Sequence, residues 1–553
     1  MQFIFIPAAR CPRALARPAT MPRAFSMLNN LPLCKIVLCF LIHSWLYSVG
    51  KAAVELPKIF SDHSVLQMEC PVPVWGTAKP GEEVSVEFAG QKKETSVDAQ
   101  GNWMIKLEPM LASAEPRTMT VRSSDSERKL SDVLVGEVWL CSGQSNMYHP
   151  IGKMNFSEGV IGGAAEIALP EQAELRLYCI ANHKEWKNAG FSGWQRAHSK
   201  SLPPFSSTAY FFGKAIQGDL KVPVGLINIS AGGSPITPWT PKEEALKMPI
   251  VSYYHDLYLK SKTEIEKHNA LMNRYREVWR ERAAGGPATN PPPIIPDPLP
   301  YNLRMAQRVG GNFGLYEAQI APVVPYALRG AIWYQGEANA DNLELSLHYE
   351  EMLRTMISSW RDRWQNPKMP FYFVQLPCWE NSEYASTWHV NRQSMLNVLR
   401  TMSDVGMVVT ADIGDVHNLH PANKRPVGER LALWALAKTY GKPVVCSGPL
   451  VRDIAAEGDK LRLEFDTYGS ALKLVGPTWN DLEVAGEDGL YYPATATISA
   501  NRAIVGSHSV GRPVSVRYGW KSVFAPTLFN TEGLPASPFV FPPVKPEPIE
   551  QKR

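Results

Sequence analysis

The sequence predicts an α/β layer sandwich around a parallel sheet, with one β-rich domain before it and another after it. Three observations carry this. Six apolar runs, at residues 137–141, 175–180, 224–229, 331–334, 371–376 and 406–410, are bounded by turn residues and separated by long connections, the pattern of parallel strands buried on both faces. Upstream, short runs such as VSVEFAG and NWMIKL alternate with the turn-forming KPGEE and DAQG, as in a small antiparallel sandwich. Past residue 446 the chain returns to short strands, KLRLEF, ALKLVG, ATATIS and VSVRYGW.

Each segment follows in order. Residues 1–53 read as a signal peptide and leader: the run 36–47, IVLCFLIHSWLY, follows Lys35 and precedes the small residues Gly50, Ala52 and Ala53. Twelve apolar residues match a signal-peptide core and are short for a membrane span. The mature protein is therefore expected to be secreted or periplasmic, with no stable membrane insertion after cleavage. Residues 54–130 form the first β-domain. Residues 131–445 form the α/β domain, in which residues 347–364 carry an apolar stripe at helical spacing. Within it, residues 252–300 read as an insertion, a charged helix followed by the proline-rich arm PATNPPPIIPDPLP. Residues 446–541 form the second β-domain and 542–553 a tail.

Composition narrows the function. A chain of 553 residues exceeds one ordinary core, and 45% hydrophobic residues with 16 Trp exclude a disordered protein. A net charge of +4 without a Lys/Arg block argues against a nucleic-acid partner. Cys70, Cys141, Cys179, Cys378 and Cys446 remain after the leader, an odd and widely spaced set that is no disulfide framework.

Three segments carry chemistry. In GEVWLCSGQSNM a buried strand runs into a Gly-containing turn, which would expose the hydroxyl of Ser145 at the carboxyl end of a parallel strand. In AIWYQGEANA another strand ends in Gln335, Glu337 and Asn339, and the two amides, of Gln335 and Asn339, are suited to stabilise an oxyanion. In DIGDVHNLHPANK, His420 lies on a loop before a helix, with Asp412 and Asp415 upstream. A serine activated by a histidine, itself oriented by a carboxylate, is the logic of acyl transfer. The pair His417 and His420 lacks the ligand spacing of a metal centre, so neither metal nor cofactor is expected.

The GQSN turn, the Gly-Gly turn at 231–234, the WYQGEAN segment and the late His-Pro resemble the sialate O-acetylesterase family of SGNH-type hydrolases. FSDHSVLQ with PVPVWGTAKPGEEV, GLYEAQIAPVVPYALRG and TEGLPASPF extend the likeness over nearly the whole mature chain. The resemblance implies a flavodoxin-like three-layer sandwich and a cofactor-free serine esterase that removes O-acetyl groups from sugars, most typically 9-O-acetyl sialic acid. It implies Ser145 as nucleophile, His420 as general base and acid, and an oxyanion hole of Ser145, Gly233 and Gln335, with Gly232, Glu337, Asn339 and Asp412 in support. Relatives often carry an acidic residue two positions before the histidine, where this chain has Asn418. Asp415 is the expected orienting carboxylate, with Asp412 or a backbone carbonyl as alternatives. Two other readings stand beside this one: an acetylesterase of plant or algal polysaccharide such as acetyl-xylan, and a carbohydrate-binding protein with a degenerate hydrolase centre.

Overall fold

The structure, a computed structural model, describes residues 53–154, 157–180, 191–284, 295–381 and 385–546. The leader, most of the proline arm and the end of the tail lie outside the described residues. Six strands build the central sheet: β1 (Glu127–Gly143), β2 (Gln172–Cys179), β3 (Val224–Ser230), β4 (Gly330–Tyr334), β5 (Phe371–Val374) and β6 (Val405–Val408). They lie in the order β2-β3-β1-β4-β5-β6 and run parallel, with Gln195–Ala197 antiparallel on the β2 edge. Each apolar run singled out in the sequence is one of these strands. All residues of β3 and β4 are buried, because helices cover both faces of the sheet.

The helices include α1 (Ser207–Leu220), α2 (Pro249–Ala283), α3 (Tyr349–Arg363), α4 (Trp388–Thr401) and α5 (Arg425–Trp434), of which α1, α3, α4 and α5 pack on the sheet. Met352, Met356, Ile357 and Trp360 are the buried stripe of α3. Trp360 meets Trp333 of β4 edge to face at 5.9 Å, and Trp333 meets Trp239 at 5.7 Å. Such pairs add about 0.5–1.5 kcal/mol each beyond the area they bury. Ser206 caps α1 by accepting the Ala209 N–H. Gly428 lets α5 lie against α1: a Cβ there would meet the Phe211 Cβ at 2.7 Å.

β1 is the organising strand. Its first half pairs with Ser113–Arg122 and Val65–Gln67 of the N-terminal domain, and from Glu137 onward it lies between β3 and β4. The expected boundary between residues 130 and 131 thus falls inside one continuous strand. Asp132, midway along it, adopts a left-handed φ of 55° and accepts hydrogen bonds from Arg176, Arg196 and His63. Burial alone would raise the Asp132 pKa, but those donors outweigh it and hold the carboxyl well below the usual range.

Beyond residue 446 two four-stranded antiparallel sheets and a two-stranded one, Leu472–Leu474 with Leu528–Asn530, form the C-terminal β-domain. Arg392 of α4 is fully buried and donates to the carbonyls of Leu376, Pro377, Lys521 and Ser522, which ties this domain to the central one. Residues 260–304 form a unit of their own, in which His268 Nε2 lies 3.0 Å from the Asp297 carbonyl. The five cysteines of the described residues are unpaired. Among the described residues no helix is long and apolar enough to cross a membrane.

Candidate active site

Strand order reverses at β1, whose neighbours β3 and β4 leave in opposite directions through the sheet. Open α/β sheets bind their ligands at such a switch point, outside the carboxyl ends of the strands. Ser145 follows β1, the Ala231–Ser234 turn follows β3, Gln335 follows β4, and the His420 loop follows β6. Four loops distant in sequence therefore meet at one end of the sheet.

The turn at Ser145 is forced by Gly143. Its φ is 144°, and an added Cβ would run into the Tyr334 carbonyl of β4. The turn opens a short helix, Ser145–Tyr148, with Gln144 at its N-cap. Ser145 Oγ lies 2.7 Å from His420 Nε2. Burial, helped by the nearby Lys424 charge, pushes the His420 pKa down to about 4. The imidazole is thus neutral and able to accept a proton from a hydroxyl at ordinary pH.

Neither candidate carboxylate forms a hydrogen bond or ion pair with the His420 ring. Asp415 is exposed, and its Oδ1 accepts the His417 backbone N–H at 3.0 Å. Asp412 is held by both terminal nitrogens of Arg430, at 2.7 and 2.6 Å. Asn418, in the position where relatives often carry an acid, accepts the His420 backbone N–H at 2.9 Å. These contacts orient the loop that carries His420 rather than its imidazole.

The glycine turn sits beside Ser145. A Cβ on Gly232 would stand 3.8 Å from the Ser145 Cβ, and Gly233 has the left-handed φ of 69° that closes the turn. The turn is braced at both ends: Ala231 N–H bonds the Gly143 carbonyl at 3.0 Å, and Ser234 Oγ bonds the Ala231 carbonyl at 2.7 Å. Gly232 and Gly233 are exposed, so the turn opens to solvent where a substrate would enter.

Gln335 sits beneath this turn and is fully buried. Its Nε2 has three acceptors, Asn339 Oδ1 at 2.8 Å, Gln144 Oε1 at 3.1 Å and the Ser234 carbonyl at 3.3 Å. Its Oε1 accepts from the Tyr349 hydroxyl at 2.7 Å. An amide has two hydrogens, so this arrangement leaves none to offer a substrate oxygen. Asn339 Oδ1 also accepts the Ile236 N–H at 3.1 Å. Gln335 and Asn339 therefore fasten the loops after β1, β3 and β4 to one another.

A buried polar cluster that the sequence did not single out completes the site. Asn146 Nδ2 donates to Glu337 and to the Leu419 carbonyl, the latter at 3.1 Å, and Asn146 Oδ1 accepts from Lys424 Nζ at 2.5 Å. Asn146 is fully buried, and Lys424 and Glu337 nearly so. Burial pushes the Lys424 pKa down to about 7, partly offset by the Glu337 charge, and the same burial raises that of Glu337. His149, also buried, lies with its ring 6.3 Å from that of His420 and is held neutral, its pKa lowered by burial to about 3. Lys424 stands four residues past His420, but a lysine in a polar loop gives no sign of burial, because lysines are rarely buried.

Known proteins share this sequence and fold. Residues 135–273 and 311–437 match the family described as carbohydrate esterase, sialic acid-specific acetylesterase. Human sialate O-acetylesterase is 27% identical over 516 residues, 84% of this chain and 88% of its own length. The mouse enzyme is 27% identical over 512 residues, 84% of this chain and 90% of its own. The crystal structure of a carbohydrate acetylesterase from Xanthomonas citri superposes with a TM-score of 0.71 at 30% identity, covering 88% of this chain and 99% of that one. The matched segments include all four loops that meet at Ser145. The chain belongs to the sialic acid-specific acetylesterase family of carbohydrate esterases, which are carboxylic ester hydrolases.

Proposed function

We propose that this protein hydrolyses O-acetyl esters of sugars, with 9-O-acetyl sialic acid as the leading substrate, through a Ser145–His420 pair. The observation that carries the reading is the 2.7 Å contact between the Ser145 hydroxyl and His420 Nε2 at the switch point of the sheet. In the acylation step Oγ attacks the acetyl carbonyl carbon while Nε2 accepts the hydroxyl proton. The negative charge that develops on the carbonyl oxygen is met by the backbone N–H groups of Ser145 and of Gly233. Gln335 supports that cradle through Gln144 and Ser234, the residues flanking its two parts. The tetrahedral intermediate collapses, the sugar oxygen leaves with the proton from His420, and Ser145 is acetylated. Water then attacks the acetyl-enzyme by the same route, releasing acetate. His420 works as one half of a dyad, with its backbone fixed by Asn418.

The similarity to a Xanthomonas citri carbohydrate acetylesterase, at 30% identity, keeps acetylated carbohydrates other than sialic acid, such as acetyl-xylan, as a second substrate class. Acetate release from 9-O-acetyl sialic acid and from acetyl-xylan, measured side by side, separates the two. The reading as an esterase fails if Ser145→Ala leaves hydrolysis of both substrates and of p-nitrophenyl acetate undiminished. The apolar run at 36–47 supports an exported protein, which N-terminal sequencing of the secreted form would test.

A further inference from the structure

We infer that Asn146 is a positioning residue that sets the distance between nucleophile and base, an inference that rests on Ser145 and His420 carrying out the hydrolysis. Asn146 directly follows Ser145 in the chain, and Leu419 directly precedes His420. The single hydrogen bond from Asn146 Nδ2 to the Leu419 carbonyl, 3.1 Å, therefore joins the two reacting residues by their immediate neighbours. No other side-chain bond among the described residues links these two neighbours.

The carboxamide is held from every side. Its second Nδ2 hydrogen goes to Glu337 on the loop after β4, and its Oδ1 takes the Lys424 ammonium from the end of the His420 loop. Its backbone carbonyl accepts from Thr208 of α1 at 3.3 Å, the helix against which α5 is packed. Lys424 is in turn placed over the Tyr334 ring, 5.3 Å from its centroid. A buried amide with these three side-chain contacts cannot rotate without stranding a buried cation, a carboxylate or a carbonyl, each of which is costly to leave unpaired. Only an amide fits this post. It must donate two hydrogens, to Glu337 and Leu419, and accept one, from Lys424. An Asp would keep the Lys424 contact but lose both donors and stand against Glu337.

The work asked of Asn146 is geometric, so it should appear in turnover rather than in substrate binding. A displacement of about 1 Å at reacting groups can cost on the order of 10²-fold in rate. The test uses the full protein and p-nitrophenyl acetate, with Asn146→Ala and Asn146→Asp compared with the unaltered protein and with Ser145→Ala. Thermal melting and the rate of labelling by a serine-directed phosphonate are followed in each. The expected result is a kcat reduced about 30-fold or more in both Asn146 variants, with KM within about threefold and phosphonate labelling slowed in parallel. Folded variants with kcat within twofold of the unaltered protein overturn the proposal. So does a loss that falls on KM alone, or failure of both variants to fold, which would make the residue structural. Absence of any Ser145-dependent hydrolysis in the unaltered protein is a different result, which removes the esterase reading and this inference with it.

Discussion

His420 Nε2 stands 2.7 Å from Ser145 Oγ although 275 positions separate the two residues in the chain. No carboxylate among the described residues pairs with that imidazole, so burial governs its protonation. A triad histidine gains basicity from its acid; this one has lost basicity to desolvation. The consequences can be measured.

The acid limb of activity should lie low. The proposed reaction needs neutral His420, whose pKa is about 4 rather than the ordinary 6.5. The value of kcat/KM for p-nitrophenyl acetate is therefore expected to hold steady from pH 7 down to about 5 and to fall near 4. A limb centred near 6.5 would show that a carboxylate reaches the imidazole in solution.

Lys424→Met tests the origin of that low value. The ammonium disfavours a second positive charge on His420, so removing it should move the acid limb toward higher pH. Glu337 loses its buried cation in the same variant, and a lower melting temperature is expected alongside. An acid limb that stays in place would assign the whole effect to desolvation.

The two upstream carboxylates should behave differently from triad members. Asp415→Asn removes a charge whose partner is a backbone N–H of His417, and kcat/KM is expected to change by no more than about threefold; loss of a triad-type acid costs on the order of 10⁴. Asp412→Asn breaks a two-pronged contact with Arg430 and should lower stability by about 1–3 kcal/mol with chemistry largely intact. A loss of 10³-fold or more in kcat for either variant contradicts the dyad.

Stability should fall with acid before activity is considered. His149, His389 and His420 are buried with pKa values lowered to about 3, 4 and 4, first of all by desolvation. The unfolded chain takes up these protons near pH 6.5, while the folded protein refuses them until near 4. The unfolded state thus binds more protons across that window, and the stability present above pH 6.5 is lost as pH falls through it. The melting temperature is expected to drop steadily between pH 6.5 and 4.5; a flat profile would mean that these rings are hydrated.

Much of this was legible in the sequence because it rests on local pattern. The six strands announce themselves as apolar runs, and Gly143 before Ser145 marks a turn that no residue with a Cβ could make against β4. The serine, the histidine and the glycine turn are found because each sits where a strand ends. What escaped detection depends on which loops meet. Gln335 reads as an amide pointed at substrate, and only its burial beside Gln144 and Asn339 shows its hydrogens already used. Asp415 has the right charge and spacing, but a local turn with Asn418 and His417 claims it. Lys424 has neighbours 278 and 87 positions away, Asn146 and Glu337, and nothing adjacent in the chain reports them.

The continuity of β1 from Glu127 to Gly143, past the turn at Asp132, has a further implication. A single strand of 17 residues, turned at Asp132, carries both the N-terminal sheet and the layer that ends in the serine, with no linker between them. Excising the first domain would saw through the middle strand of the sheet instead of trimming an appendage. Gene shuffling or protein engineering would therefore have to move the two as one piece.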